Sequence, residues 1–401
     1  MNPIQYLTIA LKSLWSNKVR SFLTMLGVII GVFSVITFLA IGNGLQKEIT
    51  GQFENFGSNL LIILPGKIEG PNSFQGSIGA STLSTEDVED LRQQTTHLET
   101  VSPIMIVSAV VSYQGKTISG PLTIATDEQH FLIRNEKIAE GSFFTRQQLD
   151  NRARVVVLGG AVKEQIFGNE KSYGKMLRLF GQDFTVIGAV NKSSNALNFG
   201  DSTDNYIYLP ISTAVEFTRT EQIFRILAKA KNQEVLGLAQ QETKSILLGN
   251  HGTEDFSVLK QDEVLELFND IFDNLKIAVS GIGAISLLVG GIGIMNIMFV
   301  SVTERTKEIG LRKAVGATNS NVLIQFLTEA SILSIFGGGI GLLVAWGLTT
   351  ILSKTVNLPT QVTMSSIVLA FGVSLAVGII FGIVPAIRAS RKNPIEALRY
   401  E

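Results

Sequence analysis

Three histidines, His97, His130 and His251, carry the side chains best suited to acid–base or metal chemistry, and they stand singly along the chain. None has the H-E-x-x-H spacing that sets two imidazoles on one helix face, and no acid–histidine cluster accompanies them in sequence. Each reads as an ordinary surface or loop residue. Gly115-Lys116-Thr117 looks like the close of a phosphate-binding loop, but the glycine that must open such a loop would fall at Val110. No G-x-S-x-G elbow occurs. Cysteine is absent, which removes disulfides, thiolate metal sites and thiol nucleophiles together. No catalytic, cofactor-binding or metal-ligating residue is therefore assigned, and the expectation is a chain that is not itself an enzyme. What remains is Glu304–Thr318, ERTKEIGLRKAVGAT, a short charged segment with Gly310 and Gly316 as expected break points. By itself it needs no more explanation than a turn whose charges face water.

The elements around that segment are set by composition. Of 401 residues, 45% are hydrophobic and 17% charged, below the roughly 25% charged of an average soluble domain. Basic and acidic residues number 33 and 34, so there is no cationic surplus for a nucleic-acid partner. The apolar excess gathers in charge-free windows at Ser21–Gln46, Ile277–Thr303, Ala330–Ser353 and Thr355–Ile387. Each exceeds the ~20 residues that cross a bilayer. The first is too long for a secretory leader and has no small-residue cleavage site behind it. Lys12, Lys18 and Arg20 precede the first window, Arg305, Lys307, Arg312 and Lys313 follow the second, and Arg388, Arg391, Lys392 and Arg399 follow the fourth. Only Lys354 lies between the third and fourth. The positive-inside rule then puts both termini and the middle loop in the cytoplasm, in a cell (inner or plasma) membrane.

The expected organisation is a cytoplasmic amphipathic interfacial helix at 1–20, with Ile4, Leu7, Leu11, Leu14 and Trp15 at helical spacing, then a span at 21–42. An extracytoplasmic domain follows at 43–272. The remaining spans are expected at 273–303 (with a stalk), 319–353 and 362–387, with the charged segment at 304–318 and a tail at 388–401. The outer region reads as α/β (α+β). NLLIIL (59–64) and RVVVL (154–158) are short apolar strands, Ile104–Tyr113 and Lys116–Ala125 are strand-like, and Ser84 caps a helix running to about Gln94. Strands alternating with helices on both sides of an interruption predict two lobes, a primary one at 43–126 and 200–272 and an inserted one at 127–199.

The spans are rich in glycine. Gly27/Gly31, Gly337/Gly341 and Gly378/Gly382 have small-xxx-small spacing, and Gly290, Gly291 and Gly293 cluster in the second span. Such residues allow close helix approach in lipid. Ionisable residues are scarce in the spans, which disfavours an ion-coupled carrier. Glu329 is the exception, near its span's cytoplasmic beginning, where snorkelling is expected to be cheap.

Three stretches together carry a family resemblance: Leu11–Gly44, Ser301–Thr318 and Pro385–Glu401. With GSNLLIILPG (57–66), STLSTEDVEDL (81–91) and the run from Gly141 to Val190, they resemble the permeases of the MacB/FtsX class of ABC transporters, in order along nearly the whole chain. The resemblance implies a homodimer in the lipid bilayer, a separate ABC ATPase subunit that binds ATP and Mg, and a membrane-fusion-type adaptor outside. In MacB the ATPase is fused to the permease. Here no Walker A loop or LSGGQ-like signature occurs, so the resemblance implies the split form. It also implies mechanotransmission, in which ATP-driven motion moves the outer domains without a substrate path through lipid. Glu304–Thr318 matches the family's coupling helix, with Glu304, Arg305, Lys307, Glu308, Arg312 and Lys313 as ATPase contacts and Ile309 and Val315 packing. The implied cargo is a peptide, toxin, antibiotic or similar substrate. A lipoprotein-releasing permease of the same superfamily is an alternative, and so is a non-transporting regulator of cell-wall hydrolases. The large outer region argues against the regulator.

Overall fold

The structure is a computed structural model that describes residues 18–54, 58–68, 81–192, 203–356 and 358–398. Residues 1–17 of the amphipathic helix expected at 1–20 lie outside these residues, as does Arg399. In chain order the elements are α1 (Lys18–Glu54), β1 (Leu60–Pro65), α2 (Thr85–Gln94), β2 (Leu98–Val107), β3 (Val111–Tyr113), β4 (Lys116–Ile118) and β5 (Leu122–Thr126). Then come α3 (Gln129–Ile133), β6 (Ile138–Gly141), α4 (Arg146–Asp150), β7 (Val155–Leu158), α5 (Gly160–Phe167), β8 (Met176–Leu179), β9 (Gln182–Val190), β10 (Tyr206–Pro210), α6 (Ile211–Thr218) and β11 (Arg225–Ala230). The chain continues through α7 (Leu236–His251), β12 (Phe256–Lys260), α8 (Gln261–Glu304), α9 (Thr306–Ala314), α10 (Asn319–Thr355), α11 (Met364–Ser390) and α12 (Pro394–Leu398). The chain divides into two compact units, 1–47 with 272–401, and 48–271.

In the unit 48–271 the strands run in the order β12-β1-β11-β2-β5-β10-β7-β9-β8-β3-β4, with β6 on β9. Period-2 alternation along β1 explains why it is apolar throughout. Leu61 and Ile63 enter the large core while Leu60 and Ile62 enter a second cluster with Ile104, Ile133, Leu227 and Val264. Val88 and Leu91 of α2 and Leu236, Ala239 and Leu247 of α7 belong to the large core. Ser84 caps α2 and Asp87 closes a capping box, its Oδ2 accepting the Ser84 N–H at 2.8 Å. The segments assigned to the two lobes share hydrogen-bonded strands. β10 pairs with β5 in parallel and with β7 antiparallel, and the β3–β4 hairpin of the first segment reaches β8 of the second. The single strand expected over Ile104–Tyr113 is likewise two. Its chain leaves β2 at Val107 and turns through Gln114-Gly115, where φ values of 49° and 78° make the tight hairpin. The outer edge of β12 is blunted by side chains, since Gln240 Nε2 donates to Val258 O and Glu263 Oε2 accepts from Lys260 N, both at 2.8 Å.

The other unit holds the apolar parts of four helices long enough to cross a membrane, α1, α8, α10 and α11. The stalk and second span are one unbroken helix of 44 residues. Glycines set the close crossings. A Cβ at Gly27 would collide with Gly290 Cα, one at Gly31 would lie 2.8 Å from Leu287 Cγ, and one at Gly341 2.8 Å from Ile29 O. Gly337 faces Val28, Gly378 lies against Ser331 and Ser334, and a Cβ at Gly382 would lie 2.5 Å from Ala330 Cβ. Gly293 is different. A Cβ there would meet open space, whereas Gly290 meets Gly27 and Gly291 lies under the ring of Phe381. One residue along a helix turns the side-chain position by about 100°, so Gly291 and Gly293 face opposite ways.

Candidate docking site

The segment Glu304–Thr318 folds into the two-and-a-half-turn α9, set off from α8 by Arg305 alone. Arg305 leaves the helical path with ψ 12°. At the far end Gly316 adopts φ +101°, a conformation open to glycine, and turns the chain toward α10. Gly310, expected to break the segment, is instead buried mid-helix. It is small so that α12 can approach, and a Cβ there would lie 2.8 Å from Ala397 Cβ.

The residues expected to contact a partner divide into two sets. Arg305 Nη1 lies 3.1 Å from Glu329 Oε2 on α10. Arg312 Nη1 donates to Gln325 Oε1 at 2.6 Å, and its Nη2 lies 2.5 Å from Glu308 Oε1. Lys313 Nζ donates to Ser390 O at 2.7 Å and Lys392 O at 2.8 Å, so its ammonium sits at the negative end of α11. Three of the expected outward cations therefore engage their own chain. Ile309 is buried, but Val315 is 81% exposed. The helix ends at Ala314, so Val315 does not continue its buried stripe. Glu304, Lys307 and Glu308 are exposed. Leu311, which drew no attention in the sequence, is 59% exposed, and Ile395 on α12 is 69% exposed. The signal for both was an apolar residue beside charges in a segment otherwise polar on that side. Glu329 does not snorkel. It is 4% exposed and held by Arg305.

Two of the three histidines, His130 and His251, are buried or largely buried rather than on the surface or in a loop, while His97 lies in a half-exposed bend as expected. His130 is fully buried, its ring 5.7 Å from those of Phe131 and Tyr208. His251 is largely buried between Asp87 (3.2 Å) and Asp255 (2.8 Å), and His97 lies 2.9 Å from Glu242. Among the described residues no cluster could hold a metal ion. A cavity of about 610 Å³ in the unit 48–271 is lined by Arg92, Arg146 and Arg152. Each is already paired, with Asp127 and Glu89, with Asp150, and with Glu216 respectively. Burial pushes Asp127 up to about 6, against the opposing pull of Arg92 and the Ser102 hydroxyl. Burial would also raise Glu242, but hydrogen bonds from Thr96 and His97 outweigh it and bring it down to about 2.

Two family descriptions match the chain: a MacB-like periplasmic core domain over residues 21–246 and an FtsX-like permease C-terminal region over 280–394. The first alone spans more than half of the sequence. This chain belongs to the MacB-like permease family. It is 34% identical over 397 residues to the macrolide export ATP-binding/permease protein MacB of Neisseria gonorrhoeae, covering 98% of this chain and 61% of that protein. With the MacB of Bdellovibrio bacteriovorus it shares 33% identity over 99% of its length and 62% of the relative's. The chain thus spans about three-fifths of these relatives. The crystal structure of the periplasmic region of MacB from Actinobacillus actinomycetemcomitans is also similar, at 22% identity and TM-score 0.48, over 55% of this chain and 97% of that one.

Proposed function

We propose that this MacB-like chain is the permease subunit of an ABC exporter, and that its α9–α12 face docks a separate ATPase subunit that binds ATP and Mg. The observation that carries this reading is the split of the coupling segment. Three of its four cations are turned into their own bundle, leaving Leu311 and Val315 exposed in the same short segment as Lys307 and Glu308, with Ile395 exposed on α12, which packs on α9 at Gly310. An apolar centre rimmed by charge is the anatomy of a protein interface. On this reading both termini and α9 are cytoplasmic, the unit 48–271 is extracytoplasmic, and the permease works as a homodimer with a membrane-fusion-type adaptor. ATP-driven motion of α9 passes along the spans to the outer unit and expels a peptide, toxin, antibiotic or similar cargo. The shortage of charge in the spans supports mechanical transmission over a polar path through the lipid.

The test is association in detergent with a candidate ABC ATPase subunit. Wild type is expected to co-elute with the ATPase. Val315→Asp, a change at a position with little to disrupt internally, is expected to fold normally and weaken association at least ~10-fold, as loss of a buried apolar anchor does. Undiminished association of Val315→Asp paired with Leu311→Asp would contradict the docking face.

A further inference from the structure

The contact between α9 and α10 is made by side chains at two levels. Gln325 and Glu329 lie four residues apart on one face of α10, and both are buried. They receive Arg312 and Arg305, seven residues and so two turns apart. Arg305 is also the sole residue between α8 and α9, off the helical path. The one backbone joint where α9 could swing against the second span is thus also the residue whose side chain is fastened to the third.

A buried ion pair is a poor source of net stability, but breaking one leaves an uncompensated charge and is strongly unfavourable. It therefore acts as a register pin. Sliding or rotating α9 along α10 would draw the Arg305 guanidinium away from the Glu329 carboxylate, which is 4% exposed. The other end of α10 is held as well. Thr360 Oγ1 donates to Thr349 O at 3.2 Å, Gln361 N donates to Ala40 O of α1 at 2.8 Å, and a side chain at Gly44 of α1 would collide with Pro359 O.

We propose that Arg305–Glu329 and Arg312–Gln325 form a two-point clamp that makes α10 move as one body with α9. Glu329 and Gln325 are then positioning residues for ATP coupling, acting through the arginines and not by touching the ATPase. The clamp's role in coupling rests on the docking reading above; the clamp itself does not. Its consequence is that Arg305 and Arg312 variants disturb transmission while sparing attachment.

The chain lacks cysteine, so two labels can be placed without background. Spin labels at Lys307→Cys on α9 and Leu343→Cys on the exposed side of α10 report their separation by pulsed EPR. The measurement uses the permease alone, diluted with unlabelled chain. The clamp predicts a narrow distribution for the otherwise wild-type chain, clear broadening with Glu329→Gln, and recovery of the narrow form in the swap Arg305→Glu with Glu329→Arg. Unlabelled Glu329→Gln is then mixed with the ATPase. It is expected to retain association but lose the permease-dependent change in ATP hydrolysis, with the swap restoring it. An unchanged distribution in Glu329→Gln, or a swap that stays broad, overturns the clamp. A Glu329→Gln variant with normal ATP response overturns its role in coupling. Failure of the wild-type chain to bind the ATPase overturns the docking reading, and shows separately because the distance measurement needs no ATPase.

Discussion

Asp127 is the residue where chemistry and fold meet most sharply. Its carboxylate is 1% exposed, paired with Arg92, and accepts Ser102 Oγ at 2.6 Å and His130 N at 3.2 Å. With its pKa raised to about 6, the folded chain keeps a proton that the unfolded chain has lost. Stability from this residue is thus fullest below about pH 4 and falls as pH rises through 6, by about 2–3 kcal/mol. Glu242 works in the other direction. Its pKa is lowered to about 2, so its contribution is present above about pH 4.5 and is lost toward pH 2. Hydrogen exchange of the β2 and β5 amides in the full chain, measured between pH 4 and 7, should show the Asp127 decline. Asp127→Asn should flatten it, since the amide oxygen still accepts from Ser102. A slope that survives the substitution would assign it elsewhere. None of this was legible in the sequence. Arg92, Ser102 and Asp127 are separated by up to 35 residues and meet only when β2 and β5 pair. The same limit hid the intrachain partners of the cations in 304–318. Arg312 and Lys313 look outward-facing until Gln325, 13 residues on, and the carbonyls of Ser390 and Lys392, 77 and 79 residues on, are brought beneath them.

At the scale of elements, long apolar runs were the legible feature. A charge-free window states its own length and needs no partner to be read, so four spanning helices follow from sequence alone. The faces of those helices do not. Gly290, Gly291 and Gly293 are equivalent in sequence, yet Gly290 meets Gly27, Gly291 meets Phe381, and Gly293 meets open space. Gly27→Ala should therefore lower the melting temperature of the detergent-solubilised chain, with an overpacking cost of about 1–3 kcal/mol. Gly293→Ala in the same background should leave it unchanged or raise it, because alanine favours the helix. Equal losses at both positions would contradict the crossing of α1 and α8. In the unit 48–271 strands such as β1 and β7 were expected, but β6 and β8 were not, and neither was the pairing. Pairing of β10 with both β5 and β7, and of the β3–β4 hairpin with β8, is non-local, and no local pattern announces it.

At the scale of the whole molecule, α1 and α8 each run without a break across the boundary between the two compact units. The helix α8 is a single element of 44 residues. On the proposed reading the chain is a lever moved by an ATPase seated on α9 and α12. The most direct test is steady-state ATP hydrolysis by that ATPase subunit, in nanodiscs with and without the permease. The account predicts that the permease changes turnover, that Val315→Asp with Leu311→Asp abolishes the change together with association, and that Glu329→Gln abolishes it with association intact. Identical turnover with and without the wild-type permease, under conditions where the two co-elute, would contradict it.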